Sequence, residues 1–150
     1  ASGLTIERTY AGDTCVLALP DQLRQAFTNV LMNAFQAMKS RGILRLSTSL
    51  TDTSVVTTIE DSGLGIPKQH LSKIFDPFFT TKGQGEGSGL GLTVARRIIK
   101  KFGGDIRIES QEGNGTTCIV TLPIIPLSPP TQEASCAESP SRSTLQPSPL

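Results

Sequence analysis

The chain has 150 residues, enough for one domain with a core of its own. Its 14 Lys and Arg balance 13 Asp and Glu to a net charge of +1, which gives no basic face of the kind nucleic-acid binding uses. No apolar run approaches the ~20 residues of a membrane span and no signal-peptide pattern is visible, so this segment is expected to make no membrane contact and to work in the cytoplasm.

The first strand-like segment alternates from Leu4 to Tyr10, and Cys15 to Leu19 reads as a second, with Gly12-Asp13 as the turn between them. Because the chain opens directly into strand, it has the look of a C-terminal piece of a longer protein. Pro20-Asp21 starts a long helix that runs to about Lys39 and is stopped by Gly42. Leu23, Phe27, Val30, Leu31, Ala34 and Met38 share one face of it at helical spacing, and Gln25, Asn29, Asn33 and Gln36 the other.

Ile43–Leu50 and Ser54–Ile59 form a hairpin through Thr51-Asp52-Thr53, and Pro67–Phe75 reads as a short helix. Leu92, Ala95, Ile98, Ile99 and Phe102 mark the core face of a third helix, ended by Gly103-Gly104. Asp105–Ser110 and Thr116–Leu122 close the domain as a hairpin. This order predicts an α+β layered domain, a mixed sheet covered on one face by three helices. Residues 1–125 are the expected folded domain. Residues 126–150, rich in Pro and Ser and poor in large apolar side chains, are an expected disordered tail. Cys15, Cys118 and Cys136 have no metal-ligand spacing, and the first two read as small buried thiols.

Chemistry concentrates between residues 29 and 91. Asn29 and Asn33 lie four apart on one helix face, either as a solvated polar stripe or as ligands, with the Asn33 amide oxygen offered to a hard cation. Mg²⁺ needs only one or two protein groups when phosphates and waters complete its shell. Asp61 ends an apolar strand and is followed by Gly63 and Gly65. Asp-Ser-Gly is an ordinary turn, yet a carboxylate there is also suited to accept a hydrogen bond from the exocyclic amine of adenine. Guanine would present an unpaired carbonyl instead. The glycines would let the backbone approach the base.

Phe75, Phe78 and Phe79 flank Asp76-Pro77 and are expected to anchor one end of a mobile loop. Lys82 is either a surface lysine or a point charge for a terminal phosphate. Gly83, Gly85, Gly87, Gly89 and Gly91 alternate through a loop that runs into a helix start, a pattern that fits a phosphate lid. Arg96, Arg97, Lys100 and Lys101 read as a solvated helix face, with a docking surface as the second reading. His70, the sole histidine, reads as a surface residue and a poor phosphoacceptor. Together these features describe an ATP site.

The series Asn29-Val-Leu-Met-Asn33-Ala, Asp61-Ser-Gly-Leu-Gly, Phe75-Asp-Pro-Phe-Phe and Gly87-Ser-Gly-Leu-Gly, completed by Gly115-Thr116, resembles the N, G1, F and G2 boxes of the ATP-binding catalytic domain of bacterial sensor histidine kinases. The Phe-Phe-Thr-Thr-Lys form of the third box is similar to the nitrogen-regulation type. The resemblance implies the Bergerat fold, a two-layer α/β sandwich with a flexible ATP lid from about Thr80 to Ser88. It implies ATP and Mg²⁺ as ligands, with Asn33 at the metal and Asp61 at adenine. Asn33 and Lys82 are then the catalytic candidates. Gly63, Gly65, Ile66 and Thr116 join Asp61 among the implied nucleotide-binding residues. Asn29, Asn33, Thr80, Thr81, Lys82, Gly87, Ser88, Gly89, Leu90 and Gly91 complete that nucleotide-binding set.

Hydrolytic members of the superfamily, and serine kinases of the anti-sigma type, resemble Glu-x-x-x-Asn at the first box, where Glu is the general base. Here Asn29 stands in that position, and a neutral amide takes no proton from water or serine. A neutral histidine attacks through its own lone pair and has less need of a base. The resemblance therefore implies a histidine kinase domain that binds Mg-ATP and supplies the γ-phosphate to a histidine on a dimerisation domain absent from this sequence. A response regulator would lie downstream, and the parent protein is compatible with a membrane anchor. Two alternatives stay open: an anti-sigma-type serine kinase, and a degenerate module that senses ATP or docks without transferring phosphate.

Overall fold

The computed structural model of the chain describes residues 3–39, 41–80 and 90–125. Its elements in chain order are β1 (Leu4–Thr9), α1 (Pro20–Met38), β2 (Gly42–Leu50), β3 (Ser54–Asp61), α2 (Gly91–Lys101), β4 (Asp105–Ser110) and β5 (Thr116–Pro123). The strands form one sheet in the order β1-β2-β3-β5-β4. β1 runs parallel to β2 and the other three pairings are antiparallel, as the mixed, mainly antiparallel sheet expected from sequence requires.

Directly paired residues share a face of a sheet. Leu44 pairs with Asp61, Leu46 with Ile59, Ile59 with Cys118, and Ile108 with Cys118. These side chains form the covered face. Both helices lie on it, and their buried residues join those of the strands in one core. All six residues expected on the core face of α1 take part, with Ala26 and Phe35 widening it. Ala95, Ile98 and Ile99 of α2 are buried beside them. Gly103, at φ +80, ends α2: the Gly104 N–H donates to Ile99 O and the Gly103 N–H to Lys100 O, a Schellman closure that favours glycine.

Three expectations are corrected. Cys15–Leu19 is not a strand, and only Val16 bridges, antiparallel, to Ile124. β1 pairs in parallel with β2 instead of turning back on itself, so the apolar run after it pairs with no named strand, and Leu17 stays 80% exposed. Pro67–Phe75 is not an α-helix. Lys68–His70 forms a 3₁₀ turn, and further i→i+3 bonds follow from Lys73 to His70, Asp76 to Lys73 and Phe79 to Asp76. Leu71, Ile74 and Pro77 recur every third residue, which suits that tighter winding. The sheet is thus covered by two α-helices, with this string of turns in place of a third. Finally, Cys118 is a buried free thiol as expected, but Cys15 is only half-buried.

β3 also runs two residues past the expected Ile59, to Asp61. That extension makes Asp61 part of the sheet and fixes its side chain on the covered face.

Candidate nucleotide site

Three strand ends meet at one end of the covered face. Asp61 closes β3 opposite Thr116, the first residue of β5, and Thr116 lies opposite Ser110, the last residue of β4. Asp61 is 6% exposed, the one buried charged residue among those described. Its Oδ1 accepts the Gly63 N–H at 2.9 Å, and the backbone N–H of Thr116 also donates to the carboxylate. Burial pushes the carboxyl above its ordinary value, and these two bonds pull it partly back. An ionised carboxylate has about four lone-pair positions, so two donors leave it able to accept more. The result is a buried acceptor held on strand ends.

Burial also pushes the neighbouring Cys118 thiol up to about 12, with the Asp61 charge adding to the effect. Cys118 is accordingly an inert packing residue at neutral pH.

The turn after Asp61 is packed against protein on both sides. A side chain at Gly63 would meet the Ala37 backbone at 2.7 Å, and one at Gly65, which has φ +71, would collide with the Gln111 carbonyl. Both glycines are therefore required by α1 and by the β4–β5 connection, with or without a base. The Leu64 N–H donates to Ala37 O at 3.3 Å, the Gly113 N–H to Leu64 O at 2.7 Å, and the Ile66 N–H to Ser110 Oγ at 2.8 Å. The turn is thus tied to α1 on one side and to β4 and its following turn on the other.

Asn29 and Asn33 do not form the solvated stripe that helical spacing allowed. Gln25 and Gln36 are exposed, whereas both asparagines are half-buried. Asn29 Nδ2 donates to Gly91 O at 3.1 Å, joining the middle of α1 to the first residue of α2. This bond spans 62 positions of sequence and connects the first and last boxes of the series.

The three phenylalanines have three different environments. Phe75 packs on the core, its carbonyl accepts from Thr93 Oγ1 at 3.0 Å, and the Arg96 guanidinium sits 4.8 Å above its ring. Arg96 is therefore more than a solvated cation on the outer helix face. Phe79 meets His70 edge-on at 5.5 Å. His70 is half-buried, with a buried Nδ1 that has no partner, so the expected surface histidine is instead a packing residue. Phe78 is 73% exposed and holds φ +65, a conformation costly for an aromatic residue.

Asp61, Gly63, Gly65, Ile66 and Thr116 are brought together at the strand ends, and Asn29 is joined to Gly91. Leu90 is half-buried beside Gly91, and Thr80 is exposed. Thr81, Lys82, Gly87, Ser88 and Gly89 lie outside the described residues, as does most of the expected lid. Ser110 and Thr93 were missed. A serine at the end of the first strand of a hairpin and a threonine in a helix carry no composition signal; only the register and the helix crossing give them partners.

The geometry is that of a two-layer sandwich with a buried acceptor at the strand ends and an amide-bearing helix beside it. Residues 18–126 match the family model described as histidine kinase-, DNA gyrase B- and HSP90-like ATPase. The chain belongs to that family. Over 119 residues it is 41% identical to the sensor histidine kinase ZraS of Escherichia coli K12, an alignment covering 78% of this chain and 25% of that protein. Among solved structures, a mycobacterial sensor histidine kinase, MprB, aligns with a TM-score of 0.73 at 29% identity, over 83% of this chain and 84% of that one. Full-length ShkA in complex with AMPPNP aligns with a TM-score of 0.71 at 26% identity, over 82% of this chain and 26% of that one. The chain thus spans about a quarter of the length of the curated relative named above. No helix among the described residues is long and apolar enough to cross a membrane.

Proposed function

We propose that this chain is the catalytic domain of a two-component sensor histidine kinase. It binds Mg-ATP and presents the γ-phosphate to a histidine on a separate dimerisation domain of the same parent protein, from which a response regulator takes it. The observation that carries this reading is the Asp61 carboxylate. It is buried, held by two backbone N–H groups, and has acceptor capacity left for an amine. The exocyclic amine of adenine is the matching donor, and the carbonyl of guanine is not. The AMPPNP bound to the structural relative ShkA supports the nucleotide class.

Asn29 favours a kinase over a hydrolase. Its amide donates to Gly91 O and has no basic nitrogen, so it takes no proton from an attacking water. Phosphoryl transfer to histidine relies mainly on positioning and charge neutralisation, which a domain of this kind supplies without a base.

A magnesium ion fits the donor set. No group of three His, Cys, Asp or Glu that could cage a metal exists among the described residues. A cation here would accordingly be held chiefly by nucleotide phosphates, with the Asn33 amide oxygen as protein ligand and, when bound, would neutralise phosphate charge. Lys82 and the glycines from Gly83 to Gly91 would surround the phosphates, with Thr80, Thr81 and Ser88. The domain ends near residue 125, the Pro/Ser-rich segment 126–150 forms a tail, and the whole faces the ATP-containing cytoplasm.

The test is titration of Asn33→Ala with Mg-ATP and with Mg-free ADP, followed by mixing the wild-type domain with the parent's dimerisation domain and γ-labelled ATP. The reading expects a larger loss for Mg-ATP than for ADP, and label on histidine in the mixture. Equal losses would remove Asn33 from the metal, and unlabelled dimerisation domain would remove the kinase assignment.

A further inference from the structure

Ser110 sits at the centre of a hydrogen-bond hub whose proton count has a consequence for the base site. Its Oγ lies 2.8 Å from Gly115 O, 2.8 Å from the Ile66 backbone nitrogen and 2.9 Å from Thr116 Oγ1. A carbonyl oxygen only accepts, so the single proton of Ser110 is committed to Gly115. Ile66 is a backbone N–H and donates to Ser110. The remaining partner, Thr116, must then donate as well. Both hydroxyl protons are used, and Thr116 Oγ1 is left with lone pairs alone.

From this count we infer that Ser110 is a positioning and specificity-determining residue for the base site: it fixes the Thr116 hydroxyl as an acceptor, so that the wall formed by Asp61 and Thr116 offers only acceptors to a ligand. The inference rests on the proposal that this is an adenine-nucleotide site and names how the site rejects other bases. Asp61 and Thr116 are a directly opposed pair in the β3–β5 ladder, with side chains on the same covered face. Ser110 and Thr116 are the terminal pair of the β4–β5 ladder. One amine with two protons suits such a wall. A carbonyl at that place of the ring meets two acceptors and has nothing to bond to. Ser110 does this without touching the ligand. The same hydroxyl also holds the Ile66 N–H, coupling the turn after Asp61 to the polarity of Thr116.

Removing Ser110 has two separable effects. The Ile66 N–H loses its acceptor, which weakens every nucleotide alike. The Thr116 proton is also released and free to turn toward the ligand, which selectively relieves a carbonyl. ATP and ITP separate these effects, because ITP carries a carbonyl where ATP carries the amine.

The experiment is calorimetric titration of wild type, Ser110→Ala, Thr116→Val and the double variant with ATP and ITP, with folding checked by circular dichroism. Ser110→Ala is expected to weaken ATP by roughly three- to tenfold, the worth of one neutral hydrogen bond. It is expected to narrow the preference for ATP over ITP by about tenfold, the size of a donor gained opposite the carbonyl. In a Thr116→Val background, adding Ser110→Ala is expected to leave the ATP-to-ITP ratio unchanged, because no hydroxyl remains to turn. Equal weakening of ATP and ITP by Ser110→Ala would overturn the inference and leave Ser110 as support for the turn. So would a ratio that still narrows with Val at position 116. If Ser110→Ala does not fold, Thr116→Val decides alone: it must weaken ATP more than ITP, and an unchanged ratio overturns the inference. Wild type that binds ATP selectively while these variants keep its ratio would sink only the role of Ser110. Wild type that binds neither nucleotide would sink the nucleotide site with it.

Discussion

Glu60 and Asp61 are consecutive carboxylates on one strand, and the pleat sends them to opposite faces of the sheet. On the open face Glu60 meets Arg45 at 3.2 Å, and Arg45 reaches Glu7 of β1 at 2.8 Å, all with side chains about half exposed. On the covered face Asp61 has backbone N–H groups for partners. The Glu60 charge is dispersed by solvent and a cation. That of Asp61 is kept at a cost in desolvation, which is the pattern of a group retained for a ligand more than for the fold. The two faces divide the labour: one solubilises the sheet and the other holds the core and the site.

The first way to break that division is to empty the core. Ile99, 1% exposed beneath the covered face, should cost about 2–5 kcal/mol on Ile99→Ala, read by denaturant melts. Asp61→Asn should weaken ATP by roughly 10- to 150-fold in a folded protein, the worth of about 1.5–3 kcal/mol for a charged acceptor facing an amine. Near-normal affinity would place the base elsewhere.

The same variant sharpens the comparison through pH. Because the folded-state carboxyl ionises at higher pH than the unfolded one, the folded state holds more proton between the two values, and stability falls as pH rises through that window. The penalty is absent below the ordinary carboxylate value and complete above the raised one. Ligand-free wild type should therefore lose stability relative to Asp61→Asn as pH climbs from acid to neutral, and a difference that stays flat would mean the burial carries no penalty.

Asn29→Ala, which leaves the Gly91 carbonyl without its donor, should cost about 1–2 kcal/mol. Asn29→Asp should not recover that loss, because a carboxylate cannot donate. The smallest effect belongs to the open face: Arg45→Ala should leave the melting temperature close to wild type, with any shift erased by high salt.

Much of this was legible in the residues. The apolar spacing in α1 and α2 was enough to name their core faces, and an Asp between an apolar strand and two glycines was enough to single out Asp61. What failed was local pattern without its tertiary partner. Cys15–Leu19 has strand-like composition but pairs only at one bridge just past the end of β5, and Pro67–Phe75 has helical residues but a three-residue period. Asn29 had the right spacing for either a solvated stripe or a ligand, and the structure gave it a third role, as a bond to Gly91 across the helix pair. Gly63 and Gly65 were read as leaving room for a base, yet the protein itself fills the space beside them. Ser110 carried no signal because its importance lies in three partners at positions 66, 115 and 116, which only the sheet register assembles.

The most direct measurement is calorimetric titration of the chain with ATP and GTP, each with and without Mg²⁺. The account predicts that ATP binds, that GTP is at least about 100-fold weaker because its carbonyl faces acceptors alone, and that Mg²⁺ strengthens ATP. Equal affinity for the two nucleotides would contradict the reading of Asp61 as the group that selects the base, and binding of neither would contradict the site itself.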